Sequence, residues 1–494
     1  MIHFFDIFKY TIIILVLYAV LKWIILPNLG LRFYAKQGIK VTYFGIFFGI
    51  KVLLDGLNKH KDILYFSKML SKQRPDTKMT VVCLGTRTLI SIVDPGLIKE
   101  LAFKDQYYVK DMPTFVRHLL SGGGLPFLEG DTWKKNRKII SQSFHFEFLK
   151  QRIPIIVKTA RGFINELKQK DLNGVDILRE MQYITENVVG KLFFGENLHS
   201  YTFEGKPLSV ALTEINENNV KLMLSPAALL FGDSFIELGL FPSHREALRK
   251  MRVFRAFCMK ILQEKKARGE SNDLIGSLFK SQNSKDPEDT LTDDRILDEF
   301  LAFFSAGMDS TAHLVVIALY LCLQYPDCFE KIKQEINEKY SQEDPASLDS
   351  LNSMDYTTAF LKECLRLYSP APGTINRKAI EDHQIGEFKI RKGDTVRVES
   401  IANHCDSKYF DEPDKFYPER WLVKREIDSF AYIPFWVGPR NCIGQHLAML
   451  EARIIIAEFI KAFHFELIPN YVLKMTFKTT YEPLDPVKFN LKVK

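Results

Sequence analysis

The sequence predicts a mainly α-helical protein with small β-sheets, an α+β fold class, preceded by a single apolar helix at the N-terminus. Residues 10–26 form an apolar run that is long enough for a helix across a bilayer. From about residue 130 to residue 370, apolar side chains recur at helical spacing. Strand-like segments lie near 80–93, near 384–400 and beyond about residue 465. We therefore expect helices to form the main layer, with small sheets near both ends of the chain.

The apolar run at residues 10–26 reads YTIIILVLYAVLKWIIL, and Lys22 is its only charge. A membrane-spanning helix needs roughly 17–25 predominantly apolar residues. The residues Leu26-Pro27-Asn28 lack the small-x-small pattern of a signal-peptide cleavage site. Residues 1–27 are therefore expected to be a retained, single-pass membrane anchor. Basic residues are more frequent after the run than before it, which puts the rest of the chain on the cytosolic side.

The domain organisation is predicted from the turn-forming residues. Pro27 and Gly30 predict a short hinge or linker over residues 28–45. No later linker or repeat occurs, so residues 46–494 are predicted to form one domain. The net charge of +7 has no block of like charges, which excludes a nucleic-acid-binding tail. The seven cysteines contain no C-x-x-C pair, which argues against a disulfide framework or a zinc ribbon and favours buried free thiols.

A long helix is predicted from about Thr292 to Gln324. Thr292 is a suitable N-cap, and the middle of the segment is apolar nearly all round, so the helix should be buried. Asp309 lies in this stretch, where a lone carboxylate is destabilising unless its hydrogen bonds are satisfied. Gly307 lowers helix stability by about 1 kcal/mol relative to Ala. That glycine predicts room for a small ligand such as dioxygen.

The strongest local signal is the loop FWVGPRNCIG, from Phe435 to Gly444. The loop delivers Cys442 to the start of a helix with an apolar stripe, where the helix dipole should lower the pKa of the thiol. Gly438 and Gly444 allow the backbone to approach a flat cofactor closely. Arg440 can pair with an acidic group on that cofactor. The pattern predicts a cofactor-binding cysteine rather than a buried structural thiol.

This loop matches Phe-x-x-Gly-x-Arg-x-Cys-x-Gly, and from about residue 80 to its end the chain resembles the cytochrome P450 family. The resemblance implies the cytochrome P450 fold and a haem b cofactor, iron protoporphyrin IX. It implies that Cys442 is the axial thiolate ligand of the haem iron, a ligand that favours O–O bond cleavage. Phe435, Gly438, Arg440 and Gly444 are then expected to bind the haem.

A second motif places an acid and two arginines together. Glu363 and Arg366 occur in FLKECLRLYSP, and Arg420 occurs in FYPERW. Taken alone, Glu363 and Arg366 are an ordinary helical ion pair, worth about 0.2–0.5 kcal/mol. The resemblance implies that all three hold the core beneath the haem and do no chemistry.

A third group of residues is expected near the haem propionates. Trp133 and Arg137, in TWKKNRKII, are four residues apart and so share one helix face, as they would on an ordinary surface helix. The resemblance directs both side chains, and Arg377, at the propionates. Three lysines of the same helix are candidates for docking an electron donor, although a plain solvated face explains them nearly as well: Lys134, Lys135 and Lys138.

The segment Ala306-Gly307-Met308-Asp309-Ser310-Thr311 resembles the oxygen-activating segment of the family. The resemblance implies that Asp309 and Ser310 pass protons to dioxygen, assisted by Thr311. Ser310 stands where Thr is usual, and its hydroxyl still donates and accepts hydrogen bonds, with a less fixed rotamer. Ala306 is expected beside the haem. It replaces a Glu that forms an ester link to haem in one branch of the family, so no such link is predicted.

The function implied by the resemblance is that of an oxidoreductase, a haem-dependent monooxygenase that inserts one oxygen atom of O2 into an apolar organic substrate. Lipids, sterols, terpenoids and xenobiotics all fit this description. Electrons would come from NADPH through NADPH–cytochrome P450 reductase, with cytochrome b5 as a candidate second partner, at the endoplasmic reticulum membrane. The catalytic domain would be cytosolic, and no nucleic-acid partner is expected. The family layout places six further residues at the substrate pocket: Phe115, Leu222, Phe303, Phe304, Ile375 and Thr480.

Two rival functions stay open at the level of the sequence. A hydroperoxide isomerase or dehydratase of the same fold would rearrange a peroxide without a reductase. Ser310 favours this reading, whereas Asp309 argues against it. A non-catalytic haem sensor would bind a gas or a lipid, but a largely preserved proton relay argues against a sensor.

Overall fold

The computed structural model describes the chain apart from several short segments. The predicted fold class, mostly helices with small sheets, is confirmed. The described residues are 2–44, 51, 55–69, 77–84, 87–113, 116, 123–223, 225, 227–228, 232, 234–269, 272–282, 290–340, 347–423 and 427–494. Phe115, a predicted pocket residue, lies outside them.

The chain forms two compact units, a division that the predicted single domain over 46–494 does not anticipate. We call them the sheet unit and the helical unit. The sheet unit comprises Met1–Asp111, Gly373–Pro413 and Ile427–Arg440. The helical unit comprises Met112–Pro372, Asp414–Glu426 and Asn441–Lys494.

The helices are numbered in chain order across both units. They are α1 Ile2–Val20, α2 Leu26–Ala35, α3 Tyr65–Lys68, α4 Pro95–Phe103, α5 Gly130–Ser141, α6 Phe146–Leu167, α7 Ile177–Val189, α8 Leu208–Met223, α9 Ser234–Glu237, α10 Pro242–Ala267, α11 Leu274–Ser281, α12 Asp293–Gln324, α13 Pro326–Lys339, α14 Leu348–Asn352, α15 Asp355–Tyr368, α16 Ser400–His404 and α17 Gln445–Ala462.

The strands are short and are numbered in the same way. They are β1 Lys40–Phe44, β2 Met79–Leu84, β3 Arg87–Ile92, β4 Tyr108–Lys110, β5 Val175–Asp176, β6 Thr202–Phe203, β7 Lys206–Pro207, β8 Arg377–Ala379, β9 His383–Ile385, β10 Phe388–Ile390, β11 Thr395–Val398, β12 Phe463–Leu467, β13 Met475–Phe477, β14 Tyr481–Pro483 and β15 Lys488–Val493. Strands near 80–93 and 384–400 and in the C-terminal part are thereby confirmed.

The N-terminal segment is helical well beyond the apolar run. Helix α1 leads through a π-helical turn, Leu21–Ile25, into α2. The structure therefore has a helix where a hinge was predicted at Pro27 and Gly30. Pro27 lies in the first turn of α2, where its missing N–H matters least. A Cβ at Gly30 would lie 2.7 Å from the Arg391 guanidinium, so close packing explains this glycine.

Among the described residues, α12 is the one helix whose length and apolar composition would allow it to cross a membrane. Most of α12 is buried in the protein, as in the core helix of a soluble domain. Whether the N-terminal helix spans a membrane therefore stays a prediction.

The sheet unit is built around one six-stranded sheet. Its strand order is β1-β2-β3-β11-β8-β4, and β1 pairs with β2 in parallel. Alternate side chains of the strands enter a continuous apolar core that includes Val81, Ile90 and Val396. The hairpin β9–β10 belongs to the same unit.

The helical unit is organised around α12, which has 32 residues. Thr292 caps the helix by accepting a hydrogen bond from the Arg295 amide, which confirms the predicted start. A Cβ at Gly307 would meet Val189 Cγ2 at 2.8 Å, so this glycine lets α12 approach α7. Packing between the two helices thus replaces the ligand space predicted from Gly307.

Candidate active site

Cys442 is the exposed cysteine of the chain. All seven cysteines lie in the described part; five are buried, Cys328 is half-buried and only Cys442 is exposed. The prediction that most cysteines are buried free thiols is confirmed. Cys442 follows the 3-10 turn Gly438–Arg440 and precedes α17, as the sequence predicts. Its Sγ is therefore available to an external ligand.

The pKa of the Cys442 thiol is raised, which corrects the prediction of a lowered value. Surrounding protein desolvates the thiolate, and this effect outweighs the hydrogen bond from the Gly444 backbone and the positive charge of Arg137. Helix α17 begins only at Gln445, three residues beyond the sulfur. A metal ion at Sγ would stabilise the thiolate that the chain alone does not.

The two loop glycines have different roles. Gly438 has a φ of +70°, and a Cβ there would contact Ala102 Cβ at 3.2 Å, so the turn itself requires glycine. A Cβ at Gly444 would meet Cys442 Sγ and Phe144 Cε1, both at 3.9 Å, which are ordinary contacts. The protein's own packing does not demand glycine at Gly444, and the space beside the sulfur is kept free of side chain.

Arg137 is bound to the cysteine loop within the helical unit. Its guanidinium donates to the Asn441 carbonyl at 3.0 Å and to Asn441 Oδ1 at 2.8 Å. Helix α5 thereby holds the residue next to Cys442 through two charge-assisted hydrogen bonds. Trp133, one helical turn earlier, is half-buried. Sequence reasoning did not find Asn441, because asparagine in a loop carries no signal of such a contact.

Arg377 and Arg440 converge on one carboxylate in the sheet unit. Arg440 Nε donates to Asp105 Oδ2 at 2.8 Å, and Arg377 Nη1 donates to Asp105 Oδ1 at 3.2 Å. Both arginine side chains are almost fully buried, and Asp105 is partly exposed. Asp105 thereby holds two guanidinium groups, a type of group that also binds acidic ligands. Phe435, in the same unit, is half-buried.

Helix α12 has one open face in its otherwise buried middle. Ala306 is exposed and Ser310, one turn later, is half-buried. Ser310 Oγ donates to the Ala306 carbonyl at 2.7 Å. Thr311 is buried because it lies about 100° further round the helix, so the structure does not support its assisting role.

The predicted pocket residues divide into those near an open surface and those in the core. Phe304 is fully buried and packs against Phe300, which places it in the core rather than at a pocket wall. Phe303 is buried against two other rings, Phe144 and Phe193. Of the remaining three, Leu222 is buried, while Ile375 and Thr480 are half-buried.

Asp309 points away from the open face and into the protein. Its side chain is 3% exposed, and its Oδ1 accepts a hydrogen bond from Gln182 Nε2 at 3.0 Å. Burial, followed by the negative charge of Glu482, raises the pKa of Asp309 to about 7. The carboxyl can therefore hold a proton at neutral pH.

A polar network links the face of α12 that carries Asp309 to the hairpin β13–β14. His313, four residues after Asp309, contacts Thr480 Oγ1 through Nδ1 at 2.6 Å. Thr480 Oγ1 lies 3.1 Å from Glu482 Oε2, and Lys478 Nζ lies 2.9 Å from Glu482 Oε1. Sequence reasoning missed His313 and Glu482. The available signal was a histidine one helical turn from Asp309 in an apolar helix.

The predicted cluster of Glu363 with two arginines is confirmed within the helical unit. Arg366 binds both oxygens of Glu363, at 2.9 and 2.7 Å, and Arg420 Nε donates to it at 3.1 Å. Trp421 Nε1 and the Tyr417 amide donate further hydrogen bonds. Glu363 and Arg366 are fully buried in this cluster, and its structural role beneath the haem stays a prediction.

The residues present fit a haem. Among the described residues, no group of three or more His, Cys, Asp and Glu side chains could hold a metal ion. A single exposed cysteine sulfur with free space beside it suits a metal whose other ligands belong to a macrocycle.

Comparisons with known proteins agree with this arrangement. Residues 44–493 match the family model described as Cytochrome P450. The chain is 27% identical over 492 residues to "Cytochrome P450 CYP72A219" of Panax ginseng, covering 93% of each chain. It is 28% identical to "7-deoxyloganic acid hydroxylase" of Catharanthus roseus, covering 80% of this chain and 78% of that one. It is also 29% identical to "Cytochrome P450 3A17" of Cavia porcellus, covering 77% of each.

A solved structure shares the fold. The crystal structure of the cytochrome P450DA heme domain superposes with a TM-score of 0.74 at 22% identity, covering 87% of this chain and 93% of that one.

Proposed function

Because this chain belongs to the cytochrome P450 family, whose members are haem-binding oxidoreductases of the monooxygenase type, we propose that it is a haem-thiolate monooxygenase. It inserts one oxygen atom of O2 into an apolar organic substrate and takes electrons from NADPH through a reductase. The observation that carries the proposal is Cys442, the exposed cysteine in a loop that matches the family signature.

The chain's own residues would hold the haem. Cys442 Sγ ligates the iron, and Arg137 fixes the cysteine loop through Asn441. Arg377 and Arg440, which the family resemblance directs at the propionates, would neutralise them, and Asp105 holds both guanidinium groups in place. When bound, the haem supplies oxygen activation and insertion into a C–H bond.

The open face of α12 would handle protons. Asp309 retains a proton near neutral pH, because its pKa is about 7. Ser310 Oγ, on the open face, donates to the Ala306 carbonyl and keeps its lone pairs available as acceptors. A proton from solvent can therefore reach Ser310 Oγ on the open face while its own proton is passed on, whereas the Asp309 carboxyl faces the protein interior. Ala306 leaves space for dioxygen beside this hydroxyl.

The haem-thiolate assignment is tested by the absorption spectrum of the reduced protein under carbon monoxide. The wild-type chain should give the far-red Soret band of a thiolate-ligated haem after dithionite reduction. Cys442→Ser should lose that band, and the matched control Cys328→Ser, a half-buried cysteine elsewhere in the helical unit, should keep it. A wild-type chain that binds haem without the far-red band would contradict the assignment.

The substrate is proposed to be a lipid, sterol, terpenoid or xenobiotic. A hydroxylase among the relatives supports C–H hydroxylation as the reaction class. Turnover with NADPH, a microsomal reductase and pooled apolar extracts, followed by mass spectrometry, tests this class. A product heavier by one oxygen atom from 18O2 is expected, and the absence of label in every product would contradict it.

We propose that α1 anchors the chain in the endoplasmic reticulum membrane, with the chain that follows the N-terminal helix in the cytosol. Its apolar side chains face outward; Ile14 is 65% exposed and Leu17 is 62% exposed. Such a surface is stable in lipid rather than in water. The double variant Ile14→Lys with Leu17→Lys should release the protein from alkaline-washed microsomes, whereas Lys9→Ala should not.

Helix α5 is proposed to dock the reductase. Lys134 and Lys138 are exposed, and Lys134 pairs with Asp131 at 2.9 Å in a solvent-screened contact of little energetic value. Reversing both charges to Glu should slow reduction by the reductase, more at low ionic strength, and leave dithionite reduction unchanged. Equal rates for the wild type and the double variant would remove α5 as the docking face.

A reductase-independent hydroperoxide isomerase is the second candidate. One observation favours it: the Ser310 hydroxyl donates to its own helix and Asp309 faces the core, so neither donates a proton to the open face in this structure. An isomerase would convert a fatty-acid hydroperoxide without NADPH. A monooxygenase would require both NADPH and the reductase.

A further inference from the structure

A polar cleft of the sheet unit lies directly against helix α2. It has a volume of about 380 Å³, and Leu26 and Pro27 of α2 and Thr88 of β3 form part of its lining. This volume is within the range of small-molecule sites, roughly 300–1,000 Å³. The rest of the lining is four charged residues in the turns on either side of the hairpin β9–β10. The cleft therefore joins the end of the apolar N-terminal run to a charged part of the sheet unit.

The four charged residues of the cleft divide into two pairs. Arg391 binds Asp394 through Nε at 2.9 Å and through Nη2 at 3.2 Å, and its guanidinium lies 5.2 Å from the centre of the Phe33 ring. Lys392 and Asp382 are both exposed, and the Lys392 backbone amide donates to Asp382 Oδ1 at 2.6 Å. Within the described part of the chain, the Lys392 ammonium and the second carboxylate oxygen of Asp382 are therefore left for a ligand.

The end of the apolar run determines the depth of this cleft in a bilayer. The run at residues 10–26 has the length of a membrane-spanning segment and ends at Leu26. Leu26 lines the cleft and is exposed, as are Ile24 and Ile25 before it. A bilayer around the run would put Leu26 and Pro27 at the level of the lipid headgroups. A lipid can then place its acyl chains along these apolar side chains and its headgroup in the cleft.

We propose that the cleft binds the headgroup of one zwitterionic phospholipid, a phosphodiester that carries an ammonium group. The Lys392 ammonium binds the phosphodiester oxygens, and the Asp382 carboxylate binds the lipid ammonium. Two cationic and two anionic residues line the cleft, so its lining has no net charge and matches a headgroup that has none either. The proposal rests on the proposed anchoring of α1, because the lipid comes from the bilayer that surrounds this helix.

The first test titrates the full-length holoprotein in detergent with dihexanoylphosphatidylethanolamine, a soluble zwitterionic phospholipid, and counts bound lipid by native mass spectrometry. The wild type should bind one molecule. Lys392→Gln should bind it about tenfold more weakly, because one charge-assisted hydrogen bond is lost. Lys389→Gln is the matched control, since Lys389 is exposed on β10 and lies outside the lining of the cleft. Equal affinity in Lys392→Gln and the wild type would overturn the proposal.

The second test separates a zwitterionic lipid from an anionic one. The wild type should bind dihexanoylphosphatidylethanolamine about tenfold more tightly than dihexanoylphosphatidylglycerol, which has the same phosphodiester but no ammonium group. Asp382→Asn keeps an oxygen that can accept the Lys392 amide, so the turn is retained, but it removes the negative charge. That variant should bind both lipids equally. If the wild type already binds both equally, the charge match between cleft and headgroup is wrong.

Competition experiments identify the source of the phosphate. Glycerophosphoethanolamine, the headgroup without acyl chains, should displace the bound lipid, whereas inorganic phosphate at the same concentration should not, because it lacks the ammonium group. Displacement by inorganic phosphate would make the cleft a free-phosphate site and contradict a lipid. Failure of the anchor is seen separately: the wild type would then leave alkaline-washed microsomes, while the titrations with soluble lipid would still decide what the cleft binds.

Discussion

Two buried carboxylates of the helical unit, Glu363 and Asp309, are stabilised in opposite ways. Glu363 accepts hydrogen bonds from two arginines, an indole and a backbone amide. Asp309 accepts one hydrogen bond from a neutral amide, and the negative charge of Glu482 adds to burial in raising its pKa. The first is surrounded by donors that favour an anion, whereas the second is placed where a proton is easily retained. The donor set around a buried acid therefore separates a framework role from a role in chemistry.

The largest expected effect is at Glu363. Glu363→Ala leaves Arg366 buried without its partner, and breaking such a pair costs about 3–5 kcal/mol of stability. Urea unfolding of the holoprotein measures the loss. Lys331→Ala, which removes a more exposed partner of Glu419, is the control and should cost no more than about 1 kcal/mol. A loss at Glu363 no larger than the control would mean that the cluster is not part of the framework.

The next effect is at the open face of α12. Ser310→Ala should reduce product formed per NADPH by up to about 100-fold, the lower end of general acid catalysis, and divert electrons to hydrogen peroxide. Thr311→Val, which alters the buried neighbour, should keep the wild-type ratio of product to NADPH. If both variants uncouple equally, the difference between the two faces of α12 has no catalytic meaning.

A third buried acid, Glu299, sharpens the comparison because it lies between the two extremes. It accepts one hydrogen bond from Asn136 and one from the Leu125 amide. Glu299→Gln has a single carbonyl oxygen for two donors, which should cost about 1–3 kcal/mol at pH above 7. Chemical unfolding at pH 8 measures it. No loss would show that the Leu125 amide finds another acceptor.

The last effect is a pH slope at Asp309. Its folded-state pKa of about 7 lies above the unfolded value of about 3.9. Between those values the folded chain retains a proton that the unfolded chain has released. The contribution of Asp309 to stability is therefore present at low pH and is lost as pH rises, by about 1.4 kcal/mol per pH unit. Asp309→Asn should remove that slope from urea unfolding between pH 4 and pH 7, and an unchanged slope would contradict the protonated state.

The sequence predicted the helices and strands better than the directions of their side chains. Capping and apolar periodicity predicted α12 and the burial of Asp309. They did not predict which neighbours face outward, because adjacent residues lie about 100° apart round the helix and the apolar pattern of α12 does not fix the face on which Ser310 or Thr311 lies. The family signature predicted Cys442, but the raised pKa of its thiol depends on surrounding atoms that no local pattern encodes.

Contacts between distant segments were the hardest to predict. Arg440 and Asp105 are 335 residues apart, and Thr480 and His313 are 167 residues apart. Each pair forms only after separate elements have packed, so neither sequence neighbourhood carries a signal. The contact between Glu363 and Arg420, which are 57 residues apart, was predicted only because both residues occur in motifs of the family.

The joint between the N-terminal helix and the sheet unit has a consequence for engineering. Helix α2 ends at Ala35 and strand β1 begins at Lys40, while the buried Tyr34 donates a hydrogen bond to Asp394 at 2.6 Å. This contact fixes the rotation of α2 about its own axis relative to the sheet. Inserting one residue before Leu26 would turn α1 by about 100° and advance it by about 1.5 Å relative to that sheet. A replacement for the N-terminal helix must therefore preserve helical phase as well as length.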